Sequence, residues 1–391
     1  MKLCVVSFKE CWQNEAGDWF STGGFPLQIA AIASLFDETI LCIVKGNPNE
    51  GGMPLPKDAR VVPLRSPSGV DLRRKLSAFI NLPYYWREIV RHARKADAVH
   101  VPLPGDLSFW GMLVALLLRK RLIARYGGSW ETTSQTTMMN RVTKACMRWF
   151  AGGRNVMLAT GLGIHPPARN MHWLYVTTIS DKEVDCVSPN LERAAQNPLQ
   201  IAYVGRLSEE KGIKCLISAL GALNQDPELA SLLPFLTLIG DGPQREELIA
   251  MVDEQGLSGQ VEFAGQLNRM NLVRRLLTMD VCILPSLTES LCKARLDAML
   301  CGVPVITTEV GFGREIIGQE GERGWLMPPS NASALAAILK CILTEPQEWV
   351  SLRKRCREYA EKFTLDAWTK TVGEICARQW NMFLVGGKLR E

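Results

Sequence analysis

The sequence predicts an α/β protein built from two doubly wound parallel-sheet domains. Three observations predict it. The chain has 391 residues, room for two domains of ordinary size. Short apolar runs alternate with longer amphipathic stretches along its whole length, the pattern of βαβ crossovers. The alternation breaks once, at Cys186–Leu199, where Ser188-Pro189-Asn190 and Asn197-Pro198 read as a linker.

In the first half, strands are predicted at Leu3–Phe8, Ile40–Val44, Ala59–Pro63, Ala98–Val101, Leu122–Arg125, Val156–Ala159 and Tyr175–Ile179. Helices are predicted at Pro26–Phe36 and Tyr84–Lys95. The longest apolar run, Leu107–Leu118, is closed by Arg119-Lys120-Arg121. It falls short of the ~20 residues a membrane span needs and reads as a buried helix. In the second half, strands are predicted at Gln200–Tyr203, Phe235–Ile239, Val261–Phe263, Val281–Leu284 and Val305–Thr307. Helices fill the gaps at Ile213–Leu223, Gln244–Gln255, Leu272–Thr278, Lys293–Leu300 and Ala332–Leu343, followed by Gln347–Lys362 and Leu365–Trp380. The expected domains are residues 1–185 and 200–364, with 186–199 between them and 365–391 as a closing segment.

Composition narrows the function. Hydrophobic residues make up 47% and charged residues 22%, as in ordinary globular proteins. A net charge of +5 is too modest to point to nucleic acid as a partner. The twelve cysteines include no C-x-x-C pair, and none of the four histidines sits at ligand spacing, so no metal site is expected. Cys4, Cys42 and Cys282 lie in apolar runs and read as reduced core residues of a cytoplasmic protein. Met1-Lys2 leads into the strand-like LCVVSF, which is not the pattern of a secretory leader.

Ligands of open α/β sheets bind at the carboxyl ends of strands, beside helix N-termini. Three such places carry chemistry. After Gln200–Tyr203, Gly205 and Arg206 are followed by Lys211, just before a helix; a guanidinium fork and an ammonium there suit a diphosphate. After Phe235–Ile239 comes the turn Gly240-Asp241-Gly242-Pro243. After Val281–Leu284 comes Pro285-Ser286-Leu287-Thr288-Glu289-Ser290-Leu291-Cys292, with Asp297 eight residues past Glu289. Two carboxylates so spaced can accept hydrogen bonds from sugar or ribose hydroxyls. Each segment alone also suits a solvated loop or a plain βα turn.

Together the segments resemble the retaining family 4 glycosyltransferases (glycosyl transferases group 1) of the GT-B fold. The resemblance runs through VGRLSEEKGIKCLISAL, LTLIGDGPQREEL, VEFAGQL, DVCILPSLTES and DAMLCGVPVITTEVG, from about Ile201 to Pro329. It implies two Rossmann-like domains facing across a cleft, with the closing segment crossing back to the first. It implies that Arg206 and Lys211 hold the donor diphosphate, that Glu289 contacts the donor sugar, and that Asp297 stands where the family has a ribose-binding Glu. Gly205, Ser290, Leu291 and Cys292 would line the donor, and the backbone from Gly265 to Leu267 would meet the base. Ser21-Thr22-Gly23-Gly24 resembles the family's glycine loop, which places Gly23 and Gly24 beside acceptor and donor. The resemblance further implies retention at the anomeric carbon, catalysis resting on Glu289, Arg206 and Lys211, and no cofactor or metal. No D-x-D pair is present to bring a divalent ion.

The sequence departs from the family in three places. Asp297 is one methylene shorter than Glu. Leu291 and Cys292 stand where relatives carry glycine. The His that many relatives carry after a first-domain strand is missing, leaving Arg125, Tyr126 or Ser129 for its polar role, with His100 as another candidate. UDP, GDP and ADP sugars suit the motifs equally. A nucleotide-sugar epimerase of the same fold, or a binding protein without turnover, fits the same motifs. A dehydrogenase does not, because Gly161-Leu162-Gly163 and Gly311-Phe312-Gly313 lack the third glycine. The acceptor, a glycan or glycolipid, is expected on the first domain. There Arg73-Arg74-Lys75, Arg87, Arg91, Arg94-Lys95 and Arg119-Lys120-Arg121 interleave with Tyr84-Tyr85, Trp86 and Trp110. An anionic membrane surface, on the inner face of a membrane, is a candidate partner of such a face.

Overall fold

Parallel strands and crossover helices build two separate sheets in the computed structural model. It describes residues 1–48, 52–67, 77, 80–128, 130, 136–162, 165–175, 179–289, 292–319, 321–345 and 347–391. Arg73-Arg74-Lys75 lie outside the described residues. The chain divides into two units, Met1–Thr178 with Leu365–Glu391, and Ile179–Thr364.

The first unit runs β1 (Lys2–Gln13), β2 (Trp19–Thr22), α1 (Phe25–Ser34), β3 (Glu38–Lys45), β4 (Gly52–Pro54), β5 (Ala59–Leu64), α2 (Leu82–Arg94), β6 (Ala98–Leu103), α3 (Asp106–Leu117), β7 (Arg121–Tyr126), α4 (Met138–Phe150), β8 (Asn155–Thr160) and β9 (Met171–Leu174). Its parallel strands lie in the order β5-β3-β1-β6-β7-β8-β9. β2 pairs antiparallel with the far end of β1, and β4 with β2, so this sheet is mixed. The central strands are buried on both faces, which is why Leu3-Cys4-Val5-Val6 reads as a continuous apolar run.

The second unit runs α5 (Asp181–Cys186), β10 (Gln200–Val204), α6 (Ile213–Gln225), β11 (Phe235–Ile239), α7 (Arg245–Glu254), β12 (Val261–Gly265), α8 (Arg269–Leu276), β13 (Val281–Leu284), α9 (Lys293–Leu300), β14 (Val305–Thr308), α10 (Gly313–Ile317), β15 (Gly324–Met327), α11 (Ala332–Thr344) and α12 (Trp349–Ala360). Its six strands are parallel, in the order β12-β11-β10-β13-β14-β15. The chain then returns to the first unit as α13 (Leu365–Trp380) and the hairpin β16 (Phe383–Val385) and β17 (Lys388–Arg390). Trp368, Val372 and Cys376 of α13 join Leu3, Val5, Ile29 and Ile32 in one buried cluster.

Several expectations need correction. Most of the strand predicted at Tyr175–Ile179, residues 176–178, lies outside the described residues; a strand not predicted there precedes it at Met171–Leu174 and carries His172. The stretch read as a linker, Cys186–Leu199, is packed into the second unit. The buried carboxylate of Asp280 accepts Arg193 Nη1 at 2.6 Å and the backbone amides of Gln196 and Gln200 at 3.1 and 3.0 Å. Trp86 and Trp110 meet edge-on, 6.3 Å apart, and pack with Tyr84 against the first unit's core, while Tyr85 is buried with its hydroxyl donating to Arg65 O. The aromatic face predicted from these residues is turned inward.

His100 is buried in β6, where its neutral ring donates Nδ1–H to Ile123 O at 2.9 Å. Burial lowers its pKa to about 4, against about 6.5 in the unfolded chain. The unfolded state therefore takes up the proton first as pH falls. Stability should be independent of this group above pH ~6.5 and drop by roughly 3 kcal/mol on going down to about pH 4. His100→Gln should accordingly cost less near pH 4 than at pH 7 in urea unfolding. Equal costs at the two pH values would rule this linkage out.

Candidate active site

The second sheet changes direction beside β10. The chain lays β11 and β12 outward on one side of β10, then crosses to put β13 on the other. Such a switch point opens a crevice at the carboxyl ends of the strands. Two loops meet there, 205–212 after β10 and 285–289 after β13. The amide of Leu287 donates to Glu210 O at 2.8 Å. Gly212 has φ +66°, and a Cβ on it would lie 2.2 Å from Pro285 O, so only glycine allows the loops to touch.

This contact brings two of the expected site residues together: the ammonium of Lys211 is ion-paired with Glu289 Oε1. Ser286 Oγ lies 3.4 Å from the same oxygen. Below them Tyr203 donates its hydroxyl to Arg206 O at 2.9 Å, and burial raises its pKa, so it stays a phenol. The side chain of Arg206 is exposed. Backbone rungs align the next loops: Gly205 N donates to Ile239 O at 3.0 Å, and Gly240 N to Gly265 O at 2.8 Å. Gly240 has φ +142°, and a Cβ there would come within 1.9 Å of Gly205 O. Gly205 and Gly265 thus stand in one row across β10, β11 and β12, with half-buried Leu267 two residues on.

Asp297 lies on α9, held by Arg269 Nη1 at 3.1 Å. Arg269 Nε in turn reaches Glu183 Oε1 at 3.0 Å, and Glu183 closes a capping box with Ser180 at the start of α5. Burial raises the pKa of Asp297, and the Arg269 charge opposes this. Arg295, also on α9, is fully buried. It donates from Nε to Thr307 Oγ1 at 3.0 Å and from Nη2 to Val310 O at 3.2 Å. Thr308 Oγ1 donates to Ser286 O at 2.7 Å, which fixes the loop carrying Glu289. Cys292 caps the start of α9, and burial lifts its thiol to about 11. Ser290 and Leu291 lie outside the described residues. Sequence reasoning missed Arg269, Arg295 and Thr308. Their signal is confined to a basic residue after the helix cap Asn268, an arginine in an apolar helix face and a threonine pair ending a strand.

Residues 189–363 match the family described as "Glycosyl transferases group 1". The second unit belongs to that family. A glycogen synthase from Mycobacterium tuberculosis is 29% identical over 187 residues, 48% of this chain and 43% of that protein. The chain spans about half the length of the first curated relatives it matches. Among solved structures, a sucrose-phosphate synthase from Thermosynechococcus elongatus superimposes with a TM-score of 0.69 at 20% identity, covering 97% of this chain and 99% of that one. Anabaena HepE in complex with UDP superimposes with a TM-score of 0.66 at 19% identity, covering 97% and 100%. These likenesses show the fold, GT-B with two Rossmann-like units, as the sequence predicts.

Beside this group 1 glycosyl transferase unit, the first unit holds the remaining predicted residues. Gly23 has φ +65° and Gly24 caps α1. Arg125, at the end of β7, donates to Gln28 Oε1 of α1 at 2.8 Å and lies 6.0 Å from the Trp368 ring. Burial lowers its pKa to about 10, so it remains a cation at neutral pH. Tyr126 is turned into the core, with Trp130 at 5.7 Å and the Lys144 ammonium at 5.3 Å. Of the candidates for the missing histidine's role, Tyr126 and His100 are thus buried, and Ser129 lies outside the described residues. A cavity of about 720 Å³ opens at the carboxyl ends of β3 and β5, lined by Glu10, Lys45, Asn47, Arg65, Ser66 and Asn81 among others.

Proposed function

We propose that the protein is a retaining, metal-independent glycosyltransferase. It moves a sugar from a nucleoside diphosphate to an acceptor hydroxyl in glycan or glycolipid synthesis. The observation that carries this reading is the Lys211–Glu289 pair at the switch point: a cation for the diphosphate beside a carboxylate for sugar hydroxyls.

Negative charge develops on the leaving diphosphate as the glycosidic bond breaks. Lys211, already oriented by Glu289, and exposed Arg206 stabilise that charge. Glu289 accepts hydrogen bonds from the donor sugar, the backbone of Gly265 to Leu267 meets the base, and Asp297 accepts from the ribose. Arg269 takes one oxygen of Asp297 and orients the other, which suits a carboxylate one methylene short. The acceptor is attacked from the face the diphosphate leaves, and a phosphate oxygen takes its proton. The polar cavity on the first unit, with Lys45 and Arg65 in its wall, suits a hydroxyl-rich acceptor, and Arg125 stands in for the family's histidine.

Calorimetric titration with UDP, GDP and ADP, beside Arg206→Ala, tests the reading. One nucleotide should bind, and the variant should bind it about 1.5–3 kcal/mol more weakly. Folded protein that binds none of the three would overturn the donor site. Binding without turnover over a panel of acceptors would leave a nucleotide-sugar-binding protein. A product of inverted anomeric configuration would end the retaining mechanism.

A further inference from the structure

Helix α4 is built inside out. Its inward face consists of Thr143, Lys144 and Met147, two of them polar. Its outward face is apolar. Met138 is 75% exposed and Trp149 is 89% exposed, and Met139, Val142 and Phe150 are exposed as well. At 100° per residue, Met138, Val142, Ala145 and Trp149 fall within about 60° of one another, a continuous stripe. Exposed Arg141 and Arg148 run along one flank of it. No other element in the described residues carries so many exposed large apolar side chains.

The charge around the stripe has one sign. Residues 138–154 contain Arg141, Lys144, Arg148 and Arg154 and no acidic residue. Arg154 Nη1 donates to Arg119 O at 3.2 Å, which joins the basic end of α3 and its exposed Leu117 to the same edge. An apolar stripe with an arginine border matches the interface of an anionic bilayer: the side chains enter the acyl boundary and the guanidiniums meet phosphates. A second copy of the chain fits poorly in an antiparallel two-fold contact, which would set the arginines of one α4 against those of the other.

We propose that α4 docks the protein on an anionic lipid surface, with Met138, Val142 and Trp149 inserted and Arg141 and Arg148 on the headgroups. This places the membrane contact on α4 and not on the aromatic residues of α2 and α3 that the sequence singled out.

Flotation of the full chain with vesicles of phosphatidylcholine alone, or mixed with phosphatidylglycerol, tests it. Binding is expected to the mixed vesicles only, and to weaken as salt is raised. Val142→Ser/Trp149→Ser and Arg141→Glu/Arg148→Glu should each reduce it by roughly tenfold or more. Both pairs are exposed, so the thermal unfolding midpoint should stay at the wild-type value. No binding to the mixed vesicles at low salt, or binding unchanged in the Val142/Trp149 variant, would overturn the proposal. So would a concentration-dependent dimer, abolished by the same variant, in protein that ignores vesicles; α4 would then be a protein interface.

Discussion

Lys211→Met is expected to lower donor turnover by about 10²–10³-fold while the protein still folds. The side chain supplies positive charge where the leaving diphosphate gains negative charge, in a site whose loops are fixed before the donor arrives. Gly212 against Pro285 O and Leu287 N on Glu210 O hold the loops without help from the lysine. The variant, however, leaves the mostly buried carboxylate of Glu289 without its ion pair. Some of the loss will therefore come from that stranded charge. Lys211→Met/Glu289→Gln separates the two effects. If the double variant regains donor affinity but not turnover, the lysine acts on the leaving group. Turnover within a few-fold of wild type in Lys211→Met would remove the lysine from the mechanism.

Asp280→Ala should cost about 3–5 kcal/mol of the second unit's stability. Asp280 is fully buried at the start of β13 and accepts four donors: Arg193, Arg353, and the amides of Gln196 and Gln200. Arg353 on α12 is itself buried, and its Nη1 also donates to Gly302 O at 3.2 Å. Alanine would leave that guanidinium buried without its carboxylate and would release residues 193–200 from the sheet. A loss of this size is a large share of the 5–15 kcal/mol by which a domain is ordinarily stable. Urea unfolding followed by limited proteolysis reads it. The second unit should unfold at lower urea, with early cleavage in 186–199. An unchanged midpoint would show that the stretch is held by something else.

Much of the second unit was legible in the sequence. The strands Phe235–Ile239 and Val281–Leu284 and the helix Lys293–Leu300 form at the residues predicted, because strands buried on both faces write continuous apolar runs. The short edge strand β15, half of it only partly buried, writes no such run. The short antiparallel strands β2 and β4 escaped for the same reason. In the site, residues close in sequence to a strand end were found. Those that act from afar were not: Arg269 reaches Asp297 across 28 positions, and Asp280 collects a linker and two arginines through tertiary geometry alone. Only the opposition of Arg125 and Tyr126 was readable from the chain. Successive side chains on a strand point to opposite faces, so Arg125 and Tyr126 could not share one role.

The return of α13 to the first unit has a consequence for synthesis on the ribosome. Leu3, Val5, Ile29 and Ile32 are made before the second unit, yet Trp368, Val372 and Cys376, which finish their cluster, emerge only after the whole of it. For on the order of ten seconds or more of translation, one face of the first sheet has α1 on it but lacks the cover that α13 supplies. The second unit, contiguous from Ile179 to Thr364, can close during that interval. The nascent chain can thus finish the second unit first and carry an unfinished first unit until α13 leaves the exit tunnel.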